Sequence, residues 1–329
     1  MRILRHSDPG FTQAVLSLAR RAMPQPHVEQ TVREIVAAVH ERGDAALIEL
    51  TKRFGGPLLK PAELRVKAKA KVGAATRAAI GAAHANVLEF AKRSLRKSWS
   101  MKNAEGAFVG ERFDPFQRVG IYVPGGTAPL VSTAVMTVTL AAAAGVPEIV
   151  VTTPSDASGR VNDALLYALQ FAGATELYQV GGAQAIAALA YGTESISAVQ
   201  KVFGPGNAYV VEAKRQVFGQ VAIDLLPGPS EILVLADATA NPAWIAADLL
   251  AQAEHGKGSS ILFVTNSTKL LRAVELEVSR QLEALRRQDH LAGVLDKDCV
   301  LVLVKTLKDA VAIANDFAPE HISIIAKNE

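Results

Sequence analysis

The sequence predicts an α/β protein in which mostly parallel sheets are covered by helices. Half of the 329 residues are hydrophobic but only 5% are aromatic, so small aliphatic side chains must form the core. That composition is typical of parallel sheets buried on both faces. From residue 119 onward, short apolar runs alternate with stretches of helical periodicity. Because the chain is long enough for two separate cores, we expect two Rossmann-like domains, one inserted in the other, plus N-terminal helices.

The first hundred residues have mainly helical periodicity. Apolar side chains recur at helical spacing over residues 28–42, and Asp44 is suited to cap a second helix over residues 45–54. A third helix is predicted over residues 74–97. Residues 1–27 are expected to form a helical arm. No reactive site is predicted in this part of the chain.

Strands and helices alternate in the remainder, which predicts right-handed crossovers and parallel sheets. The Pro-Gly-Pro turn at residues 227–229 predicts a boundary: residues 122–229 form the inserted domain, and residues 28–121 with 230–329 form the outer domain. The predicted strands cover residues 119–123, 148–152, 176–180, 198–203, 221–225, 231–236, 260–265, 300–304 and 322–326. The predicted helices cover residues 132–144, 163–172, 183–190, 208–218, 242–255, 268–288 and 307–317.

Charge and hydropathy exclude several classes of partner. The chain has 35 basic and 32 acidic residues, and no dense basic run is interleaved with aromatic residues, so a nucleic-acid partner is not expected. The longest mostly apolar stretch, residues 131–146, is short for a membrane span and contains hydroxyl side chains. The N-terminus has no apolar segment of signal-peptide length. We therefore expect a cytoplasmic protein without membrane association. Cys299, the single cysteine, excludes an intrachain disulfide and is expected to be buried.

Three turns that follow predicted strands are rich in glycine. They cover residues 123–127, 180–184 and 203–207, and two of them end in amide side chains, Gln184 and Asn207. In open parallel sheets, ligands bind beyond the carboxyl ends of the strands, where glycines and helix N-termini let backbone N–H groups approach a phosphate. A dinucleotide or phosphate ligand is one interpretation, and the steric demand of tight turns is the other. None of the turns matches the G-x-G-x-x-G dinucleotide fingerprint.

Gln252 and His255 are three residues apart in a predicted helix and therefore share a face. An imidazole is a common zinc ligand, and the amide oxygen of Gln252 would be a less usual one. The alternative is a protonated histidine that stabilises the C-terminal end of the helix dipole by about 0.3–1 kcal/mol.

Glu320 and His321 follow Pro319, which ends the preceding predicted helix and places the pair at the start of a strand. Histidine titrates near neutral pH and therefore suits general base catalysis. A neighbouring carboxylate could activate water or hold a proton. The alternative is a Glu-His pair that only forms a hydrogen bond in a loop.

Taken together, these residues resemble the histidinol dehydrogenase family. The resemblance runs from about residue 28 to the end of the chain, and residues 42–47 also take part in it. The segments that carry the resemblance are residues 121–130, 180–189, 203–216, 228–231, 252–256 and 319–321.

The resemblance implies a homodimeric, zinc- and NAD-dependent enzyme of histidine biosynthesis. Such an enzyme oxidises L-histidinol through L-histidinal to L-histidine with two NAD in succession. His321 would accept the hydroxyl proton, and Glu320 would help to activate water in the second step. The implied roles are NAD contacts for Tyr122, Gln184 and Asn207, substrate contacts for Ser230, Gln252, His255 and His321, zinc ligation by Gln252 and His255, and acid/base catalysis by Glu320 and His321.

The family continues past residue 329, and the resemblance implies that an aspartate and a histidine complete the zinc ligands there, with a substrate-binding glutamate. Loss of the residues that hydrogen-bond to metal ligands typically costs roughly 10–100-fold in metal affinity or activity. Loss of two ligands themselves should cost more, so we expect weak zinc binding and little histidinol turnover by this chain alone. Two alternatives are a relative that oxidises another alcohol and a non-catalytic NAD-binding remnant.

Overall fold

The structure is a computed structural model that describes residues 1–18, 26–125, 130–228, 230–256, 258–285 and 287–327. Residues 126 and 127 of the first predicted glycine turn, and residue 229 of the predicted boundary turn, lie outside the described residues. In chain order the elements are β1 (Arg2–Arg5), α1 (Phe11–Leu16), α2 (Pro26–Arg53), α3 (Pro61–Leu64), α4 (Ala74–Ser94), β2 (Trp99–Lys102), β3 (Phe108–Glu111), β4 (Arg118–Tyr122), α5 (Val131–Ala143), β5 (Glu148–Thr152), α6 (Asp163–Ala172), β6 (Glu176–Tyr178), α7 (Gly182–Tyr191), β7 (Lys201–Phe203), α8 (Ala208–Val217), β8 (Ala222–Ile223), β9 (Glu231–Ala236), α9 (Pro242–Ala253), β10 (Ser260–Thr265), α10 (Thr268–Leu282), α11 (Gln288–Asp298), β11 (Cys299–Leu303), α12 (Leu307–Phe317) and β12 (His321–Ile325).

The chain divides into two compact units. The terminal unit contains Met1–Met23 and Pro227–Glu329, and the central unit contains Pro24–Leu226. The predicted α/β class with parallel sheets is confirmed, because each unit has one five-stranded parallel sheet. The predicted boundaries differ from this division, since residues 28–121 belong to the central unit and not to the outer domain.

The central sheet has the strand order β6-β5-β4-β7-β8. Side chains alternate across it, as the pleat requires: Tyr122 and Val150 enter the core that contains α2, α7 and α8, whereas Ile121 and Ile149 enter the core that contains α4, α5 and α6. The buried apolar face of α2 thus completes one of the two cores. This packing explains why the N-terminal helices belong with this sheet.

The terminal sheet has the strand order β1-β11-β10-β9-β12. Ile261 and Phe263 of β10 face the core built with α9, α10 and α11, and Leu262 and Val264 face the core built with α12. The prediction of a helical arm over residues 1–27 is wrong for its first part, because β1 pairs in parallel with β11 and forms an edge of this sheet.

Two further differences concern local structure. Asp44 does not cap a separate helix: α2 continues through a kink at Gly43, whose φ is 49°, and the Asp44 carboxylate accepts hydrogen bonds from the backbone N–H and hydroxyl of Ser195. The predicted helix over residues 268–288 is replaced by α10 and α11, with Arg287 at a φ of 67° between them.

The structure also contains an antiparallel hairpin, β2 and β3, that sequence patterning did not predict. Within the described ranges, no helix has the length and apolar character needed to cross a bilayer. Cys299 is buried, as expected.

Candidate functional site

The three residues with implied NAD contacts lie at the carboxyl edge of the central sheet. Tyr122 is the last residue of β4, Gln184 lies in the first turn of α7 after β6, and Asn207 is the N-cap of α8 after β7. The strands β4, β5, β6 and β7 are all parallel. The turns that follow β4, β6 and β7 therefore lie at the same edge of the sheet, where the strands have their carboxyl ends. That edge is where ligands of open parallel sheets bind.

Direct contacts join these turns to one another. The Gly182 N–H donates a hydrogen bond of 3.2 Å to the Tyr122 hydroxyl, and burial raises the pKa of that tyrosine. Gly204, at a φ of 114°, packs so closely on the Tyr122 carbonyl that a side chain at this position would overlap it. Gly181 packs similarly against Pro154. The steric interpretation therefore accounts for these glycines.

Several buried polar atoms at this edge lack a hydrogen-bond partner within the described part of the chain. They are the amide oxygen of Gln184, which is 4% exposed, and the hydroxyls of Thr152, Thr153 and Ser155 at the end of β5. An unsatisfied buried polar group costs about 1–3 kcal/mol and requires an explanation. A polar ligand would satisfy such groups, so the donor and acceptor set fits a cofactor such as a dinucleotide.

Asn207 uses one end of its side chain for local structure. Its Oδ1 accepts hydrogen bonds from the backbone N–H groups of Tyr209 and Val210 at 3.1 and 3.2 Å, while the residue as a whole is exposed. This N-cap fixes the first turn of α8. The N-termini of α7 and α8 both lie at the carboxyl edge, where helix dipoles favour an anion, although the N–H groups of Gly182, Tyr209 and Val210 already have acceptors within the protein.

In the terminal unit, the other candidate residues lie at the edge of the sheet where the strands have their amino ends. Ser230 immediately precedes β9, His255 lies in the connection before β10, and Glu320 and His321 stand at the start of β12. The Ser260 N–H donates to the Ser230 carbonyl at 3.0 Å. Two imidazoles that are distant in sequence, at positions 255 and 321, thus lie on the same edge of one sheet.

Glu320 takes part in a second contact along this edge. Its Oε2 accepts a hydrogen bond of 3.3 Å from the Glu231 N–H, which joins the start of β12 to the start of β9. Its Oε1 is 3.9 Å from the Nε2 of His321, too far for a hydrogen bond. The side chains of Glu320 and His321 are 48% and 66% exposed. The alternative of a simple hydrogen-bonded Glu-His loop pair is therefore not observed, and the imidazole is accessible.

Gln252 and His255 do not share a helix face, which corrects the prediction from spacing. Helix α9 ends at Ala253, and the His255 N–H donates to the Gln252 carbonyl in the following turn. Gln252 is 5% exposed, and its Nε2 is buried with no partner in the described segments, whereas His255 is exposed. The unsatisfied Nε2 of Gln252 is a hydrogen-bond donor and cannot bind a metal ion, so the two possible ligands here are the amide oxygen of Gln252 and the accessible imidazole of His255.

These two possible ligands form only part of a metal site. Among the residues whose placement is described, no group of three or more His, Cys, Asp and Glu side chains could hold a metal ion. Sequence analysis did not single out one neighbour of this loop, His290. Its imidazole lies beside Gly256, and its Nε2 is buried without a partner in the described structure. Only the packing of α11 against α9 brings these residues together.

Comparison with known proteins gives a consistent assignment. Residues 18–329 match the family model described as histidinol dehydrogenase. A histidinol dehydrogenase from Geobacillus kaustophilus is 48% identical over 312 residues, which cover 93% of this chain and 74% of that protein. One from Synechococcus sp. is 46% identical over 310 residues, covering 91% of this chain and 70% of that protein.

A solved structure supports the same assignment. The crystal structure of histidinol dehydrogenase from Elizabethkingia anophelis superposes with a TM-score of 0.85 at 32% identity, covering 100% of this chain and 76% of that one. The chain therefore belongs to the histidinol dehydrogenase family of oxidoreductases.

Proposed function

We propose that this chain catalyses the oxidation of L-histidinol through L-histidinal to L-histidine in histidine biosynthesis, with NAD and zinc as cofactors, as a cytoplasmic homodimer. One observation carries the catalytic part of this proposal. The edge of the terminal sheet where the strands begin gathers Ser230, His255 and the Glu320-His321 pair, and hydrogen bonds from Ser260 to Ser230 and from Glu231 to Glu320 join the strands that carry them.

Tyr122, Gln184 and Asn207 are proposed to bind NAD at the carboxyl edge of the central sheet. The unsatisfied amide oxygen of Gln184 and the position of the N-termini of α7 and α8 at this edge support this role. NAD, when bound, supplies the acceptor for the hydride that leaves the carbinol carbon. The residues themselves bind and orient; they do not take part in the redox step.

His321 is proposed to accept the hydroxyl proton while the carbinol carbon loses its hydride, which gives the aldehyde. Its imidazole is exposed and therefore accessible to a substrate, and histidine is the residue most often used in general base catalysis. In the second oxidation, Glu320 accepts a proton from a water molecule that adds to the aldehyde carbon. His321 must release its first proton to solvent before it accepts the remaining hydroxyl proton of the hydrated aldehyde, as the second hydride leaves and the carboxylate of the product forms.

Gln252 and His255 are proposed as zinc ligands that also face the substrate, and Ser230 as a further substrate contact. The accessible imidazole of His255 supports this role, and Gln252 would bind zinc through its amide oxygen, while its unsatisfied Nε2 could donate a hydrogen bond to the substrate. Zinc usually has four ligands, three of them from protein in a catalytic site. Two ligands do not complete such a set, so no reaction step is assigned to zinc.

The test uses purified chain supplied with zinc and NAD. Because Gln252 and His255 alone do not complete a zinc site, we expect slow NADH formation that depends on histidinol, and a further decrease of about 100- to 10,000-fold in His321→Gln, the usual contribution of a general base. The affinity for NAD should be unchanged in this variant. Glu320→Gln should slow the oxidation of added histidinal more than that of histidinol.

A matched control and several distinct outcomes make the test decisive. His84→Gln changes a histidine on α4 of the central unit that stacks edge-on against Phe171, and it should leave turnover unchanged. Faster oxidation of another alcohol would refute the substrate assignment. NAD binding without oxidation of any alcohol would refute the catalytic assignment and favour a non-catalytic protein. Sedimentation at equilibrium tests the homodimer.

A further inference from the structure

An ion pair between a buried lysine and a partly exposed aspartate holds both backbone groups of Gly204 in the turn before α8. Lys214, on α8, is 1% exposed, and its Nζ donates a hydrogen bond of 2.9 Å to the Gly204 carbonyl. The same ammonium pairs with the carboxylate of Asp224, which follows β8. The Oδ2 of Asp224 in turn accepts a hydrogen bond of 2.9 Å from the Gly204 N–H. A single ion pair therefore fixes the N–H and the C=O of one residue.

Gly204 lies next to two of the residues proposed to bind NAD, Tyr122 and Asn207. It is buried against the Tyr122 carbonyl, and it lies three residues before Asn207, the N-cap of α8. A displacement of Gly204 would move the turn that places Asn207 and would disturb the packing of this turn on the Tyr122 backbone. The ion pair thus acts on the geometry of the carboxyl edge from inside the protein.

Stability alone does not account for a lysine at this position. Removal of an ammonium group from water is costly, and a buried ion pair is often no more stabilising than apolar side chains of similar volume. A methionine would fill the space of Lys214 without that cost, but it could neither satisfy the Gly204 carbonyl nor neutralise Asp224. The specific gain from the lysine is the fixed position of the turn.

We propose that Lys214 and Asp224 are positioning residues for cofactor binding, which hold the Gly204 turn in the conformation that presents Tyr122 and Asn207 to NAD. This inference rests on the proposed function, because it places NAD at the carboxyl edge of the central sheet. Neither residue needs to contact the cofactor, since both act through the Gly204 backbone.

The primary test is calorimetric titration of the purified chain with NAD, below the melting temperature of every variant. We expect Lys214→Met and Asp224→Asn to weaken NAD binding roughly tenfold or more, the scale of effects from residues that support a binding site. The matched control is Glu176→Gln, which breaks an ion pair with Arg118 where β4 and β6 of the same sheet begin. The control should lower the melting temperature but leave the affinity for NAD unchanged.

Hydrogen exchange provides a readout that needs no cofactor. In Lys214→Met and Asp224→Asn, the Gly204 amide should exchange faster than in the parent chain, whereas in Glu176→Gln it should not. Unchanged NAD affinity in Lys214→Met and Asp224→Asn would overturn the proposal. It would also be overturned if all three variants, including Glu176→Gln, lost affinity in proportion to the decrease in their melting temperatures. If the parent chain binds no NAD, the proposed cofactor fails, and the exchange rate at Gly204 alone decides whether the ion pair positions the turn.

Discussion

Replacement of Glu176 by glutamine should destabilise the protein in a pH-dependent manner. Arg118 donates hydrogen bonds to both carboxylate oxygens of Glu176, at 2.8 and 3.1 Å, and the Tyr178 hydroxyl donates a third at 2.7 Å. The bonds from Arg118 are the largest cause that lowers the pKa of Glu176 to about 2 from its ordinary 4.5. The same carboxylate contributes to the rise in the pKa of Tyr178 to about 12, although burial contributes most.

The magnitude follows from the shift in pKa. A decrease from 4.5 to about 2 corresponds to roughly 3 kcal/mol of stabilisation by the ionised form. Because the side chain is 19% exposed and solvent screens part of the interaction, we expect Glu176→Gln to lower the free energy of unfolding by about 2 kcal/mol. The folded-state pKa is the lower one, so this stabilisation is complete above pH 4.5 and disappears as the pH falls towards 2.

The assay is urea unfolding, followed by circular dichroism, of the parent chain and Glu176→Gln over a series of pH values. The difference in unfolding free energy should be largest near neutral pH and should shrink below pH 4.5. The control is Glu89→Gln, which removes an exposed pair with Arg93 on α4 and should cost no more than about 0.5 kcal/mol. A difference that stays constant with pH, or a Glu176→Gln variant as stable as the parent, would refute the reasoning.

Three further predictions concern buried groups. Gly204→Ala should lower the free energy of unfolding by more than about 2 kcal/mol and weaken NAD binding, because its φ of 114° is strained for alanine and the new Cβ would overlap the Tyr122 carbonyl. Urea unfolding measures the first effect and NAD titration the second. An alanine variant with parental values would contradict the prediction. Asp44→Ala should cost about 2–3 kcal/mol, because Asp44 is 6% exposed and its loss leaves the Ser195 N–H and hydroxyl without their acceptor; thermal unfolding tests this, with Glu89→Gln as the surface control. Burial raises the pKa of the Cys299 thiol to about 12, so a disulfide reagent at mildly alkaline pH should react only as fast as the protein unfolds, and rapid labelling of the folded chain would show that the thiol is accessible.

Many elements could be predicted because the local sequence and the tertiary structure favour the same conformation. β5, β9 and β10 have the predicted bounds, since each is an apolar, largely β-branched or aliphatic run that ends at a turn. α6 and α12 also have the predicted bounds, and side-chain caps from Asn162 and Thr306 set their first turns. In these segments, tertiary contacts reinforce a preference that the residues already have.

Other elements could not be predicted because they depend on distant partners. β1 is a four-residue strand whose backbone hydrogen bonds require β11, almost three hundred residues away. The assignment of α2 to the central unit depends on its packing against α7 and α8. The end of α9 at Ala253 places His255 outside the helix, although spacing predicted a shared face with Gln252.

Local composition and spacing predict the α/β class, the glycine turns after strands, and the residue types available for chemistry. The tertiary fold, in contrast, brings Tyr122, Gln184 and Asn207 to the carboxyl edge of one sheet, and His255 and His321 to one edge of the other. It also placed Lys214 and Asp224 on either side of Gly204. The physical reason is that strand order and register are set by burial of whole sheet faces, which no short segment of sequence specifies.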